Sequence, residues 1–414
     1  MNIQKMYATT DTITCWNQID FKKAEQNVKK LQKRIAVAYE NHRYDVAITL
    51  QHRLIHSFYA KALAVKRVTS NRGKNTAGID GVIWNTPELK FEAIASLKRR
   101  GYNPKPLRRV YIPKSNGKMR PLSIPTMQDR AMQTLYKFAL EPIAEVTADS
   151  CSYAYRPNRS AKDAIAQCCD ILTKYPLAEW ILKIDIKACF DNISHKWILS
   201  HIFMDKVVLR KFIKTPYMHD LALYPTFEGI PQGSAISSII CNMTLDGLES
   251  LLSKEYGRDV HMIRYADDIL VLGTHKQLLV HRVIPFIKNF LAKRNLELSE
   301  EKTQITHIDV GFSFLGWRIY REQKTIISVP TRENIDILLA KIRTVLTCEQ
   351  YITPQEQFKH VRPIVRGWLF YYIGLAQDQS LYGVEFEILS LLYSLGDNQC
   401  AVLIRQLFAK YLQH

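Results

Sequence analysis

Two stretches of the sequence place carboxylates at the ends of apolar strands. The segment WILKIDIKACFDNISH carries Asp185 after an alternating apolar run, and HMIRYADDILVLG carries Asp267 and Asp268 at the turn of a predicted hairpin. Any single aspartate there could equally cap a helix or favour a turn. Carboxylates on two strand ends of one basic chain, however, are the minimum ligand set for two Mg²⁺ ions in nucleotidyl transfer.

The chemistry of such a site indicates which groups would bind the metal. One ion would lower the pKa of an attacking 3′-hydroxyl, and the other would hold a nucleoside triphosphate and stabilise the leaving pyrophosphate. Both ions need hard oxygen ligands, and Mn²⁺ could substitute for Mg²⁺. We expect Asp185, Asp267 and the backbone carbonyl of Ile186 to supply them, with Asp268 as a secondary ligand and third catalytic carboxylate.

The net charge indicates a polyanionic partner. The chain has 414 residues, with 57 lysines and arginines against 39 acidic residues, and a formal charge of +18. Nucleic acid is the expected partner, and an anionic membrane is the alternative. A hydrophobic content of 47% with 16 glycines and 16 prolines excludes a disordered or collagen-like chain.

Cysteine usage and apolar runs indicate the compartment. The eight cysteines include no CxxC pair, so we expect reduced thiols. The N-terminal stretch lacks the apolar core of a signal peptide, and the longest apolar run near the C-terminus, Val384 to Leu395, is too short to span a bilayer. The sequence therefore predicts a cytoplasmic protein that does not associate with a membrane.

The apolar pattern changes along the chain. Residues 20–68 repeat apolar positions at steps of three and four and predict two basic amphipathic helices. Turn formers in 71–81 and 101–106 predict loops on either side of a short helix. Beyond Val110 strand-like runs alternate with helical patterns, and beyond Thr331 the chain is mainly helical. This order predicts an α+β core followed by a helical region.

Three motifs in this core occur in the order and approximate spacing of reverse transcriptase palm motifs. They are the D-x4-F-D of Asp185 to Asp191, the GIPQGS of Gly229 to Ser234 and the YADD of Tyr265 to Asp268. More narrowly, the chain from Trp16 to Gly374 resembles group II intron-encoded reverse transcriptases, or maturases. The resemblance also includes TAGIDG (Thr76 to Gly81), YIPKSNGKMRPLSIPTMQDR (Tyr111 to Arg130), SYAYRPNRSAKDAI (Ser152 to Ile165), LSEEKTQI (Leu298 to Ile305), FLGW (Phe314 to Trp317) and RPIVRGWLFYY (Arg362 to Tyr372).

The resemblance implies a right-hand polymerase, an α+β fold whose fingers and palm contain an antiparallel sheet with the YADD hairpin. It implies a helical N-terminal extension over 1–80, fingers and palm over 81–310, a helical thumb over 311–380 and a short apolar tail over 381–414. The implied activity is that of an RNA-directed DNA polymerase, which adds dNTPs to a primer 3′-hydroxyl.

The resemblance also implies a dNTP-binding set. Lys114 and Arg120 match triphosphate-binding cations, although their hairpin could also be merely solvated. Phe190 matches the residue that packs under deoxyribose and excludes a 2′-hydroxyl, with a core phenylalanine as the alternative. Gln232 would position the dNTP or template. Lys302 matches the lysine that protonates pyrophosphate, and a solvated lysine is its alternative.

Nucleic-acid contacts are implied in the same way. Lysine and arginine would bind phosphates without regard to sequence, and Gly233 would let the backbone approach the nascent base pair. Trp317, Trp368, Tyr371 and Tyr372 could stack on bases, but their spacing favours the core. The expected cations are Arg72, Lys74, Lys105, Arg108 and Arg109 at the template entry and Arg362 and Arg366 in the thumb.

The sequence departs from the family in two places. Ser238 stands where the GIPQGS motif normally continues to proline, and no Arg/His-rich DNA-binding segment or Cys-paired HNH endonuclease follows Gly374. We therefore expect a free-standing enzyme of phage defence or DNA repair, with an intron maturase that acts as an RNA-binding splicing cofactor as the alternative. Expected partners are an RNA template, from an intron or a dedicated non-coding RNA, a DNA primer or cDNA, dNTPs and a second copy bound through the tail. The identity of the RNA, the primer and the oligomeric state stay open.

Overall fold

The computed structural model describes residues 13–113, 117, 119–348 and 353–412. The chain forms two compact units, each built from discontinuous segments. The first unit comprises the chain up to Tyr155, Ile186–Leu251 and Phe286–Ser299, and the second comprises Arg156–Asp185, Leu252–Pro285 and the chain from Glu300 onward. The predicted domains, in contrast, are continuous along the chain.

The elements alternate between helix and strand in the middle of the chain and are helical at both ends. Helices are α1 Phe21–Glu40, α2 Tyr44–His56, α3 Phe58–Ser70, α4 Pro87–Ser96, α5 Met127–Thr147, α6 Ala161–Lys174, α7 Cys189–Asn192, α8 His195–His201, α9 Lys206–Ile213, α10 Ser237–Leu245, α11 Leu248–Tyr256, α12 Lys276–Leu278, α13 Ile284–Ala292, α14 Arg332–Leu346, α15 Pro354–Tyr372, α16 Asp378–Ser394 and α17 Asn398–Leu412. Strands are β1 Leu107–Pro113, β2 Met119–Ile124, β3 Trp180–Ile184, β4 Tyr217–His219, β5 Ala222–Tyr224, β6 Val260–Tyr265, β7 Asp268–Gly273, β8 Gln304–His307, β9 Phe312–Phe314, β10 Trp317–Glu322 and β11 Thr325–Pro330.

The helical N-terminal part of the first unit contains three helices, so the prediction of two was wrong. The chain leaves α1 through His42, whose φ of 56° is left-handed, and it breaks again at Ser57, whose ψ of 130° is extended. Apolar periodicity continues through both breaks, which is why the pattern alone predicted too few helices. All three helices pack against α5, which is buried on most of its faces.

A four-stranded sheet of the first unit contains the hairpin of β1 and β2, called the fingers hairpin after the predicted fingers region. Its strand order is β2-β1-β4-β5, with β1 antiparallel to β2 and parallel to β4. The hairpin of β1 and β2 pairs Arg108 with Ile124 and Ile112 with Arg120. This pairing register determines the positions of the β2 side chains relative to the loop that precedes α10.

The second unit contains an antiparallel sheet with strand order β6-β7-β3-β8. The apolar runs of β3 and β7 lie in its middle, and β7 is buried from Ile269 onward. The predicted α+β class, with the hairpin of residues 265–268 in an antiparallel sheet, is therefore confirmed.

Helices α14 to α17 of the second unit share one apolar cluster. Ile342 of α14, Val365 of α15, Ile388 of α16 and Phe408 of α17 are all buried in it. The predicted boundary at residue 380 lies within α16, which begins at Asp378. The predicted tail buries its apolar residues against the two helices that precede α16. Residues 381–412 are thus a structural part of the helical region.

The structure also bears on the thiols and on the apolar helices. Among the described residues, no disulfide joins the eight cysteines. Within the described ranges, no helix is both long enough and apolar enough to cross a membrane.

Candidate active site

Three aspartates of the second unit lie at one edge of its antiparallel sheet. Asp185 directly follows β3, whose last residue, Ile184, pairs with Ile269 of β7. Asp268 begins β7 and pairs with Tyr265, so the hairpin turns through two residues only. Register therefore brings the carboxylates of both strand ends to the same side of the sheet.

The tight turn depends on an unusual backbone conformation. Ala266 has a φ of 59°, in the left-handed region that residues with a side chain rarely adopt. Ala266 is also buried, and Asp267 is half-buried at the tip of the hairpin. A turn of this length leaves Asp267 at the tip, beyond the paired ends of both strands.

The charges at this edge are coupled. Burial raises the pKa of Asp268, and the negative charges of Asp267 and Asp185 raise it further. Lys183 and Lys302 act in the opposite direction. The Nζ of Lys302 donates to Asp185 Oδ2 at 3.0 Å, although 63% of the lysine side chain is exposed. The edge is thus an anionic cluster with two flanking cations.

The donor set of this cluster fits a divalent cation. Three carboxylates offer the hard oxygen ligands that Mg²⁺ prefers. Burial is the main cause of the raised pKa of Asp268, and a bound cation would offset the smaller contribution from repulsion by the neighbouring carboxylates. In the described part of the chain, no group of three or more His, Cys, Asp or Glu side chains is arranged so that it could hold a metal ion. Substrate oxygens and the carbonyl of Ile186, the buried residue after Asp185, would have to complete the coordination.

The first unit joins three side chains of the predicted nucleotide region. The Nε of Arg120 on β2 donates to Gln232 Oε1 at 2.9 Å. The Nε2 of Gln232 donates to the two carboxylate oxygens of Asp191, at 3.2 and 3.1 Å. Of the predicted dNTP set, the structure thus brings Arg120 and Gln232 together, and it adds Asp191. Lys114 lies outside the described residues.

Phe190 belongs to the same region and lies in a short helix. It is half-buried in the short helix α7, and its carbonyl accepts from the backbone N–H of Ile230 at 2.7 Å. Phe190 is thereby held beside the loop that carries Gln232.

Gly233 is required by close packing of this loop on β2. Its φ is 101°, and an added Cβ would lie 2.7 Å from Leu122 Cδ1 and 2.9 Å from the carbonyl oxygen of Ser123. The adjacent carbonyl of Gln232 accepts from the Ser123 N–H at 2.7 Å. The observed role of Gly233 is therefore to let the loop contact the fingers hairpin.

The predicted nucleic-acid cations fall into two groups. Arg108 donates to the carbonyl of Ala77, at 3.2 Å from Nε and 2.8 Å from Nη2, and the guanidinium of Arg109 lies 3.8 Å from the ring centroid of Tyr217. These two half-buried arginines therefore have protein partners. The others are exposed, namely Arg72, Lys74 and Lys105 in the first unit and Arg362 and Arg366 on α15 of the second. Of these, Lys105 also pairs with Asp80 at 3.4 Å.

Arg130 is a structural residue to which the sequence analysis gave no role. It is buried on α5, and its guanidinium donates to the carbonyls of Pro125 and Gly73, both at 3.0 Å, and of Thr76. One arginine thus holds the segment that carries Arg72 and Lys74.

Arg130→Met should lower the free energy of unfolding by about 2 kcal/mol, because three carbonyls lose their donor. Urea denaturation measures this, and limited proteolysis should show faster cleavage between residues 72 and 76. Arg53→Met removes an exposed arginine from α2 and serves as the control. Equal stability of both variants would contradict this role for Arg130.

Comparison with known proteins identifies the family. A model described as reverse transcriptase (RNA-dependent DNA polymerase) matches residues 112–319, half of the chain, and a model of the N-terminal domain of reverse transcriptase matches 16–97. Protein YkfC of Escherichia coli K12 is 29% identical over 68% of this chain and 89% of its own length. Group II intron-encoded protein LtrA of Lactococcus lactis is 30% identical over 62% of this chain, and the match spans about half of LtrA, 54%.

Relatives also include intron proteins of mitochondrial genes. The putative COX1/OXI3 intron 2 protein of Saccharomyces cerevisiae is 29% identical over 61% of this chain and 36% of its own. Among solved structures, telomerase from Candida albicans aligns with 75% of this chain and 62% of its own at 14% identity, with a TM-score of 0.43, too low to support a conclusion. The two family models and the intron-encoded relatives together show that the chain belongs to the reverse transcriptase family, with a right-hand polymerase fold, and is a group II intron-like RNA-directed DNA polymerase.

Proposed function

We propose that this chain extends a primer 3′-hydroxyl with dNTPs by copying RNA, using two Mg²⁺ ions held by Asp185, Asp267 and Asp268. Members of the family use divalent metal ions and bind nucleic acid and dNTPs. The observation that carries the proposal is the meeting of these carboxylates at one sheet edge, where burial and mutual repulsion raise the pKa of Asp268. The Ile186 carbonyl is the proposed fourth protein ligand.

In this reaction the 3′-oxygen bonds to the α-phosphorus, the bond from that phosphorus to pyrophosphate breaks, and the hydroxyl proton passes to solvent water. Bound Mg²⁺ would lower the pKa of the hydroxyl and stabilise the charge on pyrophosphate. Lys302, whose ammonium contacts Asp185, would give a proton to pyrophosphate. Arg120 would bind the triphosphate, with Lys114 as a second cation and Gln232 as a positioning group.

Primer extension tests the proposal. The full chain, purified without removing nucleic acid, is given labelled dNTPs, a primed RNA template and Mg²⁺, and the RNA and DNA that copurify are sequenced. We expect incorporation that EDTA abolishes and that Mn²⁺ restores after EDTA is removed. Lack of incorporation on RNA templates in either metal would contradict the polymerase function.

We propose that the biological role is phage defence or DNA repair with a dedicated non-coding RNA as template. The similarity to LtrA and to a COX1 intron protein supports a second candidate, an RNA-binding splicing cofactor. Cells that express an Asp267→Asn chain separate the two. Loss of phage resistance or damage tolerance supports the first role, and intact splicing of an adjacent intron supports the second.

Template and duplex binding are proposed for the exposed cations Arg72, Lys74, Arg362 and Arg366. Such phosphate contacts should weaken steeply as salt rises. We assign Arg108 and Arg109 a smaller share, because both already contact protein groups. Tyr382 and Phe386 on α16 are exposed and are the proposed surface for a second copy of the chain.

Phe190→Ala should relax sugar discrimination. The ring is half-buried beside the loop that carries Gln232, so its removal would open space for a 2′-hydroxyl. We expect the preference for dNTPs over rNTPs, measured as a ratio of kcat/KM, to fall by about tenfold or more. Phe227→Ala removes an exposed phenylalanine of the same unit and should leave the ratio unchanged. An unaltered ratio in Phe190→Ala would argue for a purely structural phenylalanine.

A further inference from the structure

We propose that Asp191 is a positioning residue for nucleotide binding. Its carboxylate sets the orientation of the Gln232 amide, and the amide in turn aims the guanidinium of Arg120. This inference rests on the proposed polymerase function, because it concerns the same triphosphate site. It adds a residue that is neither a proposed metal ligand nor a member of the predicted dNTP set.

The hydrogen bonds admit one orientation of the amide. Gln232 presents Nε2 to the two oxygens of Asp191 and Oε1 to the Nε of Arg120. A reversed amide would place an oxygen against the carboxylate and an NH₂ group against the guanidinium. Both contacts would then be lost, so the charges at positions 191 and 120 together determine which way the amide points.

Backbone contacts bring the two segments within reach of each other. The N–H of Gly229 donates to the carbonyl of Ile193 at 2.8 Å, and that of Ile230 donates to the carbonyl of Phe190 at 2.7 Å. Gly229 has a φ of 77°, and an added Cβ would lie 2.3 Å from the carbonyl oxygen of Asp191. The α7 turn and the Gln232 loop are therefore held together independently of the Asp191 side chain.

The position of Asp191 favours orientation over packing as its role. The residue is exposed, so its side chain fills no core. The described hydrogen bonds of its carboxylate both go to Gln232. Arg120 is also exposed, and without the amide its long side chain would sample many rotamers. Asp191 therefore acts by preorganising a cation that would otherwise lose conformational freedom when the triphosphate binds.

Charge rearrangement tests the proposal. Asp191→Ala frees the amide and should raise the KM for dNTP by about tenfold, the usual effect of losing a hydrogen bond to a charged group. Gln232→Glu sets a second carboxylate against Asp191 and should raise it by about tenfold to a hundredfold. In the double variant D191N/Q232E, the amide introduced at position 191 can donate to the carboxylate introduced at position 232, which still accepts from Arg120. The KM of the double variant should therefore recover by about tenfold relative to Gln232→Glu.

The readouts distinguish positioning from damage to the fold. Single-nucleotide incorporation gives kcat and KM, and dNTP affinity is also measured by equilibrium dialysis with primer–template in Ca²⁺, without turnover. We expect the KM for dNTP and the affinity for dNTP to change as stated, while the Tm and the affinity for primer–template stay unchanged. Asp170→Asn, which removes a half-buried carboxylate paired with Lys174 on α6, is the control and should match the wild type.

Three results would overturn the inference. Asp191→Ala could bind dNTP as tightly as the wild type, or D191N/Q232E could be no better than Gln232→Glu. A fall in Tm that accounts for the lost activity would likewise reduce Asp191 to a structural residue. If the proposed polymerase function is wrong, the result differs from these, because the wild type would then bind dNTP in the dialysis measurement without incorporating it.

Discussion

Asp267→Asn is expected to abolish primer extension, with a fall in kcat of about a thousandfold or more. Asp267 occupies the two-residue turn between β6 and β7, at the edge where Asp185 and Asp268 also lie. An amide keeps the size of the side chain but removes the negative charge that a divalent cation needs. Because the residue lies outside the strand pairing, the free energy of unfolding should change by less than about 0.5 kcal/mol.

Single-turnover extension at saturating dNTP measures this effect, together with filter binding of the RNA template. Asp259→Asn is a matched control, because Asp259 is exposed just before β6, at the opposite end of the same hairpin. RNA binding should be equal in the wild type, Asp267→Asn and Asp259→Asn. Extension by Asp267→Asn at a rate near that of the control would contradict the assignment of the catalytic carboxylates.

Trp317→Ala is expected to lower the free energy of unfolding by about 3–5 kcal/mol, the usual cost of removing a fully buried aromatic side chain. Trp317 is 0% exposed, and its ring centroid lies 4.6 Å from that of Tyr372 on α15. The hydroxyl of Tyr372 donates to the carbonyl of Gly316 at 2.8 Å, and that of Tyr371 donates to the carbonyl of Leu315 at 2.7 Å. The cavity would therefore open where the turn before β10 is tied to the helices.

Guanidinium denaturation of the wild type and of Trp317→Ala measures the loss in free energy of unfolding. Tyr393→Ala provides the comparison, since it removes an aromatic ring from the same unit at a side chain that is 51% exposed, and it should stay within about 0.5 kcal/mol of the wild type. A cost below about 1.5 kcal/mol for Trp317→Ala would mean that neighbouring side chains collapse into the space.

Local patterns predicted most elements and the position of the carboxylates. Asp185 follows an apolar strand and Asp267 occupies a tight hairpin turn, as the alternation and the turn residues indicated. The preference for core roles at Trp317 and Tyr372 is also confirmed by their burial. The break at Ser57 could not be read in the same way, because apolar spacing runs through it without change.

The sequence by itself determined the fold class, the family and the strand ends that carry the aspartates, because each depends on neighbouring residues and on motif order. Tertiary structure alone decided which polar side chains meet. Gln232 contacts Asp191 across 41 positions and Arg120 across 112, and Arg108 turns to the carbonyl of Ala77 instead of standing free. Packing likewise joined the tail to α14 and α15 through Ile388. Such contacts depend on how distant segments pack, and their donors and acceptors must be satisfied by whichever groups the fold brings near.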